Sequence, residues 1–342
     1  MDPGSPAAEG LAEADGALER LAERTGIRLD HIATARAATA AKLAEIRDEL
    51  CAAVDDEASL AMFGSWARRE LTDGSDNDWA VLVRGNPERE EVAQLLARCR
   101  KRFGDTPPGD QAIFGVAFTG DELTTQIGLE PDTNRVLTRR MLLLVESVTA
   151  CGRLHEETRE AILDAYLDRN AKDYRPPRFL LNDLIRYWRT ICVDYEGKFW
   201  GPAPDPRKRV LRNAKLRTSR KILFAGALLP VLLCHRITRS HFEDYLLAQL
   251  RAAPTDNLAA AYLSVEGMEE AGGRFMLAYD RWIELIGDAA KRRELEQLTE
   301  VDQGRSNLFA TVREIGKELD EGLDALLFES SLAETTRKFG IF

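Results

Sequence analysis

The sequence predicts an α+β fold, in which a small mixed sheet is followed by an all-helical domain. Two observations support this prediction. Between residues 59 and 118, short apolar runs bounded by Gly and Asp alternate with a helical stretch, as expected of buried strands with helical cover. After residue 121, apolar residues recur at i, i+3 and i+4, and no strand pattern is evident. A chain of 342 residues is long enough for two packed cores.

The predicted first domain covers residues 11–130 and begins with two helices. Apolar residues recur at helical spacing from Leu11 to Asp55, and Gly26 interrupts the pattern. Residues 1–10 are small and polar, so we expect them to be disordered. The remaining predicted elements of this domain are the strands Ser59–Phe63, Trp79–Val83 and Ala112–Phe118, with a helix over Glu88–Arg102 before the last of them.

The predicted second domain covers residues 131–342 and is all helical. Its longest apolar run, Ile222–Cys234, falls short of the roughly 20 residues that a membrane-spanning helix needs, so a buried helix is expected there. The clearest helical patterns are Thr133–Val148, Glu156–Arg169, Phe179–Phe199 and Val210–Leu233.

The net charge of −10 argues against a dedicated binder of extended nucleic acid, because that affinity rests on Lys and Arg paired with phosphates. No secretory signal is evident at the N-terminus. The five cysteines are scattered without a close pair, which indicates reduced thiols rather than a zinc knuckle or a dense disulfide framework. These observations predict a cytoplasmic protein with no membrane partner.

A metal and phosphate motif lies between the first two predicted strands. Gly64 and Ser65 follow the first strand, and Asp76 and Asp78 stand at the start of the second. Side chains two apart on an extended chain point the same way, so both carboxylates can face one hard cation such as Mg²⁺ or Mn²⁺. The Gly-Ser turn offers backbone N–H groups to phosphate. Two basic residues that could add phosphate contacts are Arg68 and Arg69.

The string GSWARRELTDGSDNDWAVLV resembles the signature of the DNA polymerase β-like nucleotidyltransferase superfamily, in the variant GSxxRxExTxxSDxDW. It is similar to the motif of PII-uridylyltransferase-like and minimal nucleotidyltransferase proteins, and later segments resemble a bacterial group of nucleotidyltransferase-domain proteins. The resemblance implies attack of an acceptor hydroxyl on the α-phosphate of a nucleoside triphosphate. It also implies two metals held by three carboxylates, of which Asp76 and Asp78 match the first two.

The third carboxylate departs from the superfamily pattern, because the predicted third strand contains no acid. The nearest candidates are Asp110 before the strand and Asp121 or Glu122 after it. Without a third carboxylate, the metal that activates the nucleophile would be weakened while the metal of the nucleotide stays in place. A non-catalytic nucleotide sensor or regulatory protein on the same fold is therefore the alternative to an enzyme.

Two clusters in the helical half carry further candidates. Lys215 and Ser219 lie four apart in a basic segment and would share a helix face. The resemblance implies that they clamp the triphosphate, and a solvated helix start is the alternative. Trp188 is expected in the core rather than on a base. Asp132 or Thr133 is expected to cap a helix. Arg139 and Arg140 are expected on a solvated face, and contact with the acceptor is the alternative.

The function that these observations favour is metal-dependent transfer of NMP from an NTP, which we expect to be ATP, to a hydroxyl acceptor. A protein acceptor is slightly preferred, because the motif is nearest to the uridylyltransferase-like proteins. An RNA 3′ end, a small molecule, or a second nucleotide in a second-messenger synthase are the other acceptors.

Overall fold

The computed structural model describes residues 11–104, 113–169, 171–200 and 209–341. The chain divides into two compact units. One is Thr34–Arg169, which we call the sheet unit, and the other combines Met1–Ala33 with Asn170–Phe342, which we call the helical unit. The predicted domain boundary near residue 130 falls inside the sheet unit. The predicted disorder of residues 1–10 concerns positions outside the described ranges.

The first described elements are the helices α1, Ala17–Thr25, and α2, Asp30–Leu50. Gly26 ends α1 with a left-handed φ of +66°, a conformation that glycine adopts without the steric cost of a Cβ. The prediction of two leading helices interrupted at Gly26 is confirmed.

A four-stranded mixed sheet forms the centre of the sheet unit, with the strand order β3-β2-β1-β4. Strand β1 runs antiparallel to both of its neighbours, whereas β2 and β3 are parallel. The predicted mixed sheet is confirmed, and the third strand is shorter than the expected Ala112–Phe118, whose first residue lies outside the described ranges. The strands are β1, Ala58–Phe63; β2, Trp79–Val83; β3, Ala117–Thr119; and β4, Ser147–Cys151.

Strand β4 corrects the expectation that no strand follows Asp121. The predicted helix Thr133–Val148 ends at Val145, and the next residues pair with β1 from Phe63 towards Leu60. The chain changes from helix to strand here because β1 would otherwise present an unpaired edge, and the β-branched Val148 and Thr149 suit that pairing.

Helices cover both faces of the sheet. Alternate residues of β1 and β2, among them Leu60 and Val81, pack with α2 and with α3, Glu90–Phe103, in one core cluster. On the opposite face, Ser59 accepts a hydrogen bond from the His155 N–H at 3.1 Å. The remaining helices of the unit are α4, Asp121–Thr124; α5, Asn134–Val145; and α6, Leu154–Leu167.

A disulfide joins Cys51, after α2, to Cys151, at the end of β4. Their Cα atoms are 5.2 Å apart although 100 residues separate them in sequence. The prediction of five reduced thiols is therefore wrong for this pair, because the antiparallel pairing of β4 with β1 brings distant cysteines together. Cys99 is a free, buried thiol, and burial raises its pKa to about 12.

His155 is completely buried on the helix-covered face of the sheet. Its Nε2 lies 2.7 Å from Ser147 Oγ, and its Nδ1 lies 3.1 Å from Glu156 Oε1. Burial lowers the pKa of His155 because the charged imidazolium is poorly solvated there, while Glu156 acts in the opposite direction. These contacts give His155 a structural role in the core.

The buried His155 should make the sheet unit less stable in acid. A pKa lowered in the fold means that the unfolded chain binds the proton first, so the stabilisation is present above about pH 6.5 and is lost as the pH falls below it. We expect His155→Gln to remove up to about 1.4 kcal/mol per pH unit of this slope. Urea unfolding at pH 7.5 and 5.5, followed by tryptophan fluorescence, measures the free energy of unfolding of both proteins. An equal loss of this free energy between the two pH values in the wild type and in His155→Gln would contradict the lowered pKa of His155.

The helical unit contains α1 and the helices that follow residue 170. The predicted helix Val210–Leu233 is interrupted at Thr218, whose φ of −125° and ψ of −95° are not helical. Among the described residues, no helix is both long and apolar enough to cross a membrane. The helices are α7, Arg178–Trp200; α8, Arg209–Arg217; α9, Ser219–Leu233; α10, Phe242–Arg251; α11, Pro254–Ser264; α12, Glu269–Gly287; α13, Ala289–Gln297; α14, Glu300–Gln303; and α15, Asn307–Asp324, with a short α-helical turn, Ala333–Thr335, and π-helical segments, Ala325–Glu329 and Thr336–Ile341, near the end.

Candidate active site

The Gly64–Ser65 turn begins where β1 ends. Gly64 has a left-handed φ of +64°, and a Cβ at this position would stand 2.6 Å from Asp78 Oδ2. A Cβ essentially never approaches another atom that closely, so a larger residue at position 64 would displace the Asp78 carboxylate. The two halves of the predicted motif are therefore adjacent in space.

Backbone hydrogen bonds fix the turn. The Arg68 N–H donates to the Gly64 carbonyl at 3.1 Å, and the Glu70 N–H donates to the Ser65 carbonyl at 2.8 Å. The carbonyl groups of Gly64 and Ser65 are thus both hydrogen-bonded to the residues that follow them. Ser65 is half-buried, so its hydroxyl remains close to the surface of the unit.

Asp76 and Asp78 lie in the loop that leads directly into β2. The Asp78 carbonyl accepts a hydrogen bond from the Phe63 N–H at 2.8 Å, which extends the β1–β2 pairing by one residue. Asp76 is exposed and Asp78 is half-buried. Earlier in the loop, the Leu71 N–H donates to the buried Thr39 hydroxyl of α2 at 3.0 Å, so the loop is anchored to the core.

Substitution of Gly64 tests its close approach to the Asp78 carboxylate, and Gly85 provides a matched control. Gly64→Ala and Gly85→Ala both place a Cβ at a left-handed residue, but no atom lies within 4 Å of a Cβ at Gly85. Each change should cost about 1 kcal/mol of backbone strain, and Gly64→Ala should cost more because its methyl group displaces Asp78. Urea unfolding of the two variants measures the difference; equal losses would show that the Gly64–Asp78 approach is not close.

The two predicted phosphate-binding arginines have different surroundings. Arg68 Nε donates to Glu70 Oε2 at 2.9 Å, and its Nη1 donates to Glu146 Oε1. The side chain of Arg68 is only 11% exposed. Arg69, in contrast, is exposed and has a left-handed φ of +58°, which is uncommon for a residue with a Cβ.

The structure does not bring Asp121 or Glu122 to the aspartate pair. Strands β2 and β3 are parallel, with Val83 paired to Thr119, so the chain after β3 lies beside the end of β2. Asp78 precedes the start of β2, roughly 16 Å from Val83 at about 3.3 Å per residue along the strand. Glu122 also forms an ion pair of 2.8 Å with Arg139.

The chain that leads into β3 lies next to the end of β2 that Asp78 precedes, but the described residues there include no acid. The Gly115 N–H donates to the Trp79 carbonyl at 2.7 Å, so Gly115 stands beside the residue that follows Asp78. Asp110, the remaining candidate for the third carboxylate, lies outside the described residues.

A scan against protein-family models matches residues 43–176 to the nucleotidyltransferase domain. This range contains the sheet, the Gly64–Ser65 turn and the aspartate pair. Residues 43–176 are a nucleotidyltransferase domain. The match confirms the superfamily and the α+β class predicted from the sequence. A search of curated proteins found no significant match to the chain.

Two carboxylates of the nucleotidyltransferase domain are suited to a divalent cation. Asp76 and Asp78 supply the carboxylate oxygens that Mg²⁺ and Mn²⁺ prefer, and Asp78 lies beside the Gly64–Ser65 turn. Within the described ranges, no group of three His, Cys, Asp or Glu side chains is arranged for a metal. The donor set therefore fits a cation that takes its other ligands from nucleotide phosphates.

Asp132 of the nucleotidyltransferase domain belongs to a buried ion pair. Both of its carboxylate oxygens accept hydrogen bonds from Arg140, at 2.9 and 3.0 Å, and Arg140 Nε donates to the Tyr166 hydroxyl at 2.7 Å. Arg140 is fully buried, so the expected solvated face is wrong for this residue. The helix cap is formed by Thr133, whose hydroxyl accepts the Val136 N–H at 3.3 Å.

The candidates from the helical half lie in the helical unit. Lys215 is in α8 and Ser219 begins α9, so the break at Thr218 separates them, and the expectation of one continuous helix face is wrong. The buried Ser219 hydroxyl accepts a 2.8 Å hydrogen bond from Trp282 Nε1. The binding of Lys215 and Ser219 to a triphosphate stays a prediction. Trp188 stacks on Phe224 with ring centroids 5.1 Å apart and is half-buried, so it lies only partly in the core.

The sequence prediction missed Glu70 and Glu146 as partners of Arg68. Glu70 could have been suspected, because it stands two residues from Arg68 inside the motif. Glu146 gave no local signal, because it is brought to the site only by the unpredicted strand β4.

Proposed function

We propose that this protein is a Mg²⁺- or Mn²⁺-dependent nucleotidyltransferase that moves NMP from an NTP, most simply ATP, to a hydroxyl acceptor. The observation that carries the proposal is the close approach of Gly64 to the Asp78 carboxylate. This contact supports the proposal that the Gly64–Ser65 turn receives phosphate and that Asp78 holds the metal at one end of the β1–β2 pair. The nucleotidyltransferase domain supports NMP transfer in general and implies an NTP substrate.

In the proposed reaction, the acceptor oxygen attacks the α-phosphorus and forms a new P–O bond. The bond to the oxygen that bridges to the β-phosphate breaks, and pyrophosphate leaves with the electron pair. The hydroxyl proton passes to solvent, and Asp110 is the proposed third carboxylate. A divalent cation, when bound, neutralises charge on the phosphates.

The residues of the chain bind and orient the nucleotide. Asp76 and Asp78 would hold the cation, and the backbone N–H groups of Gly64 and Ser65 would receive phosphate oxygens. Arg69 is the exposed cation next to this turn and could contact the phosphates from solvent. Lys215 and Ser219 remain proposed triphosphate contacts from the helical unit.

A protein is the proposed acceptor, and extended nucleic acid is not expected as a partner of a chain with a net charge of −10. The other acceptor classes are an RNA 3′ end, a small molecule, and a second nucleotide in a second-messenger synthase. Localisation in the cytoplasm is also proposed. Because disulfides persist mainly in oxidising compartments, the Cys51–Cys151 bond weighs against that part of the proposal.

A second candidate function is a nucleotide sensor that binds without transfer. The specific observation in its favour is that no third carboxylate accompanies Asp76 and Asp78 in the described part of the chain. Two carboxylates are sufficient to bind a metal–nucleotide complex, whereas activation of the attacking hydroxyl normally requires a further ligand or base.

The test is incubation with each α-³²P-labelled NTP, Mg²⁺ or Mn²⁺, and cell lysate. The wild type and the Asp76→Ala/Asp78→Ala variant are compared. We expect label to reach a protein band with the wild type only. Label in RNA, a small molecule or a nucleotide product would instead select another acceptor. Equal transfer by both proteins would overturn the site, and nucleotide binding without transfer would favour the sensor.

A further inference from the structure

Arg68 connects the loop after β1 with the start of β4. Its guanidinium donates to Glu70 within the loop and to Glu146, the residue immediately before β4. The first residue of β4, Ser147, pairs with Phe63, which directly precedes Gly64. The Glu70–Arg68–Glu146 network therefore joins the two backbone segments that flank the turn.

The network is buried. The side-chain exposure is 11% for Arg68, 5% for Glu70 and 1% for Glu146. If the guanidinium turned towards a phosphate, two buried carboxylates would lose a cationic partner, which is strongly unfavourable away from water. The carboxylates would also repel a nearby phosphate.

We infer that Arg68 is a positioning residue, which holds the Gly64–Ser65 turn against Asp78 through Glu70 and Glu146, and that it is not a phosphate ligand. The inference rests on the proposed function for its catalytic consequence. It assigns different roles to neighbouring arginines: Arg68 orders the turn, and Arg69 is left exposed to meet the nucleotide.

Two variants separate positioning from phosphate binding, because the two roles predict different results for Glu146→Gln. If Arg68 positions the turn, Arg68→Lys and Glu146→Gln should both lower kcat, by about 10- to 100-fold, while KM for the NTP changes by less than about 3-fold. If Arg68 binds phosphate, Arg68→Lys should raise KM, and Glu146→Gln should leave KM unchanged or lower it.

Arg84→Lys is the matched control. Arg84 also pairs with two glutamates, Glu57 and Glu157, but it is 56% exposed and follows the far end of β2. We expect kcat and KM of this variant to stay close to those of the wild type. The double variant Arg68→Lys/Glu146→Gln should be no worse than the more affected single variant, because both changes break one network. Glu70→Gln provides an independent change in the same network.

Hydrogen exchange gives a readout that needs no activity. Amides of residues 64–70 should exchange faster in Arg68→Lys and Glu146→Gln than in the wild type and Arg84→Lys, under conditions where all four proteins are folded. Unchanged exchange, or a raised KM in Arg68→Lys with wild-type behaviour of Glu146→Gln, would overturn the positioning role. Failure of the proposed function is distinguishable, because it would appear as a wild type without nucleotide transfer while the exchange result still decides the role of Arg68.

Discussion

Asp78→Asn is expected to lower NMP transfer by about 10³-fold or more, equivalent to about 4 kcal/mol of transition-state stabilisation. The change keeps the size of the side chain beside Gly64 but removes the charge that would hold a cation. Asp76→Asn should have an effect of similar size, because both carboxylates would ligate the same cation. Initial rates with the labelled NTP at saturating Mg²⁺ measure both effects.

Asp73→Asn is the control for this prediction. Asp73 belongs to the same loop, carries the same charge, and is fully exposed with its nearest cation, Lys42, 3.9 Å away. Its replacement should alter the rate by less than about 2-fold, because an exposed pair of this kind contributes little. Comparable losses in Asp73→Asn and Asp78→Asn would show that loop charge in general, rather than a metal site, supports the reaction.

Loss of the Cys51–Cys151 disulfide is expected to lower the free energy of unfolding of the sheet unit by about 3 to 5 kcal/mol. The bond closes a loop of 100 residues, and a long loop restricts the unfolded chain strongly. Cys51→Ser/Cys151→Ser and the reduced wild type should both show this loss in urea unfolding.

Cys192→Ser is the control for the disulfide. Cys192 is a free, half-buried thiol of the helical unit, so its replacement should leave the response to reductant unchanged. The double serine variant should no longer respond to reductant. A wild type with equal stability before and after reduction would contradict the prediction.

The sequence was sufficient for the part of the fold with strong local signals. β1 and β2 are short apolar runs bounded by Gly and Asp, and both strands formed within one residue of the predicted limits. The break between α1 and α2 followed from a single glycine. The motif between β1 and β2 was predictable for the same reason, because its residues are close in sequence as well as in space.

The rest depends on contacts between distant residues. β4 is five residues long and follows a helix without a turn signal, so only its pairing with β1 defines it. The disulfide and Glu146 depend on that strand. Arg140 can be buried because it donates two hydrogen bonds to Asp132 and one to the Tyr166 hydroxyl. Neither partner can be predicted from the periodicity of α5.

The candidate third carboxylates illustrate the same limit. From sequence alone, Asp110, Asp121 and Glu122 were equivalent, because each is next to the third strand. The parallel register of β2 and β3 distinguishes them, since it places the residues after β3 at the end of β2 that is remote from Asp78. Asp110→Asn is accordingly the informative variant for catalysis.

Nucleotide binding tests the central claim most directly, because it needs neither the acceptor nor a third carboxylate. Isothermal titration with a non-cleavable α,β-methylene analogue of ATP and Mn²⁺ should show one site in the wild type and in Asp73→Asn. We expect Asp76→Asn/Asp78→Asn to bind the analogue at least about 10-fold more weakly, and omission of Mn²⁺ to weaken binding by the wild type similarly. Equal, metal-independent affinity in all three proteins would contradict a metal–nucleotide site at Gly64, Asp76 and Asp78.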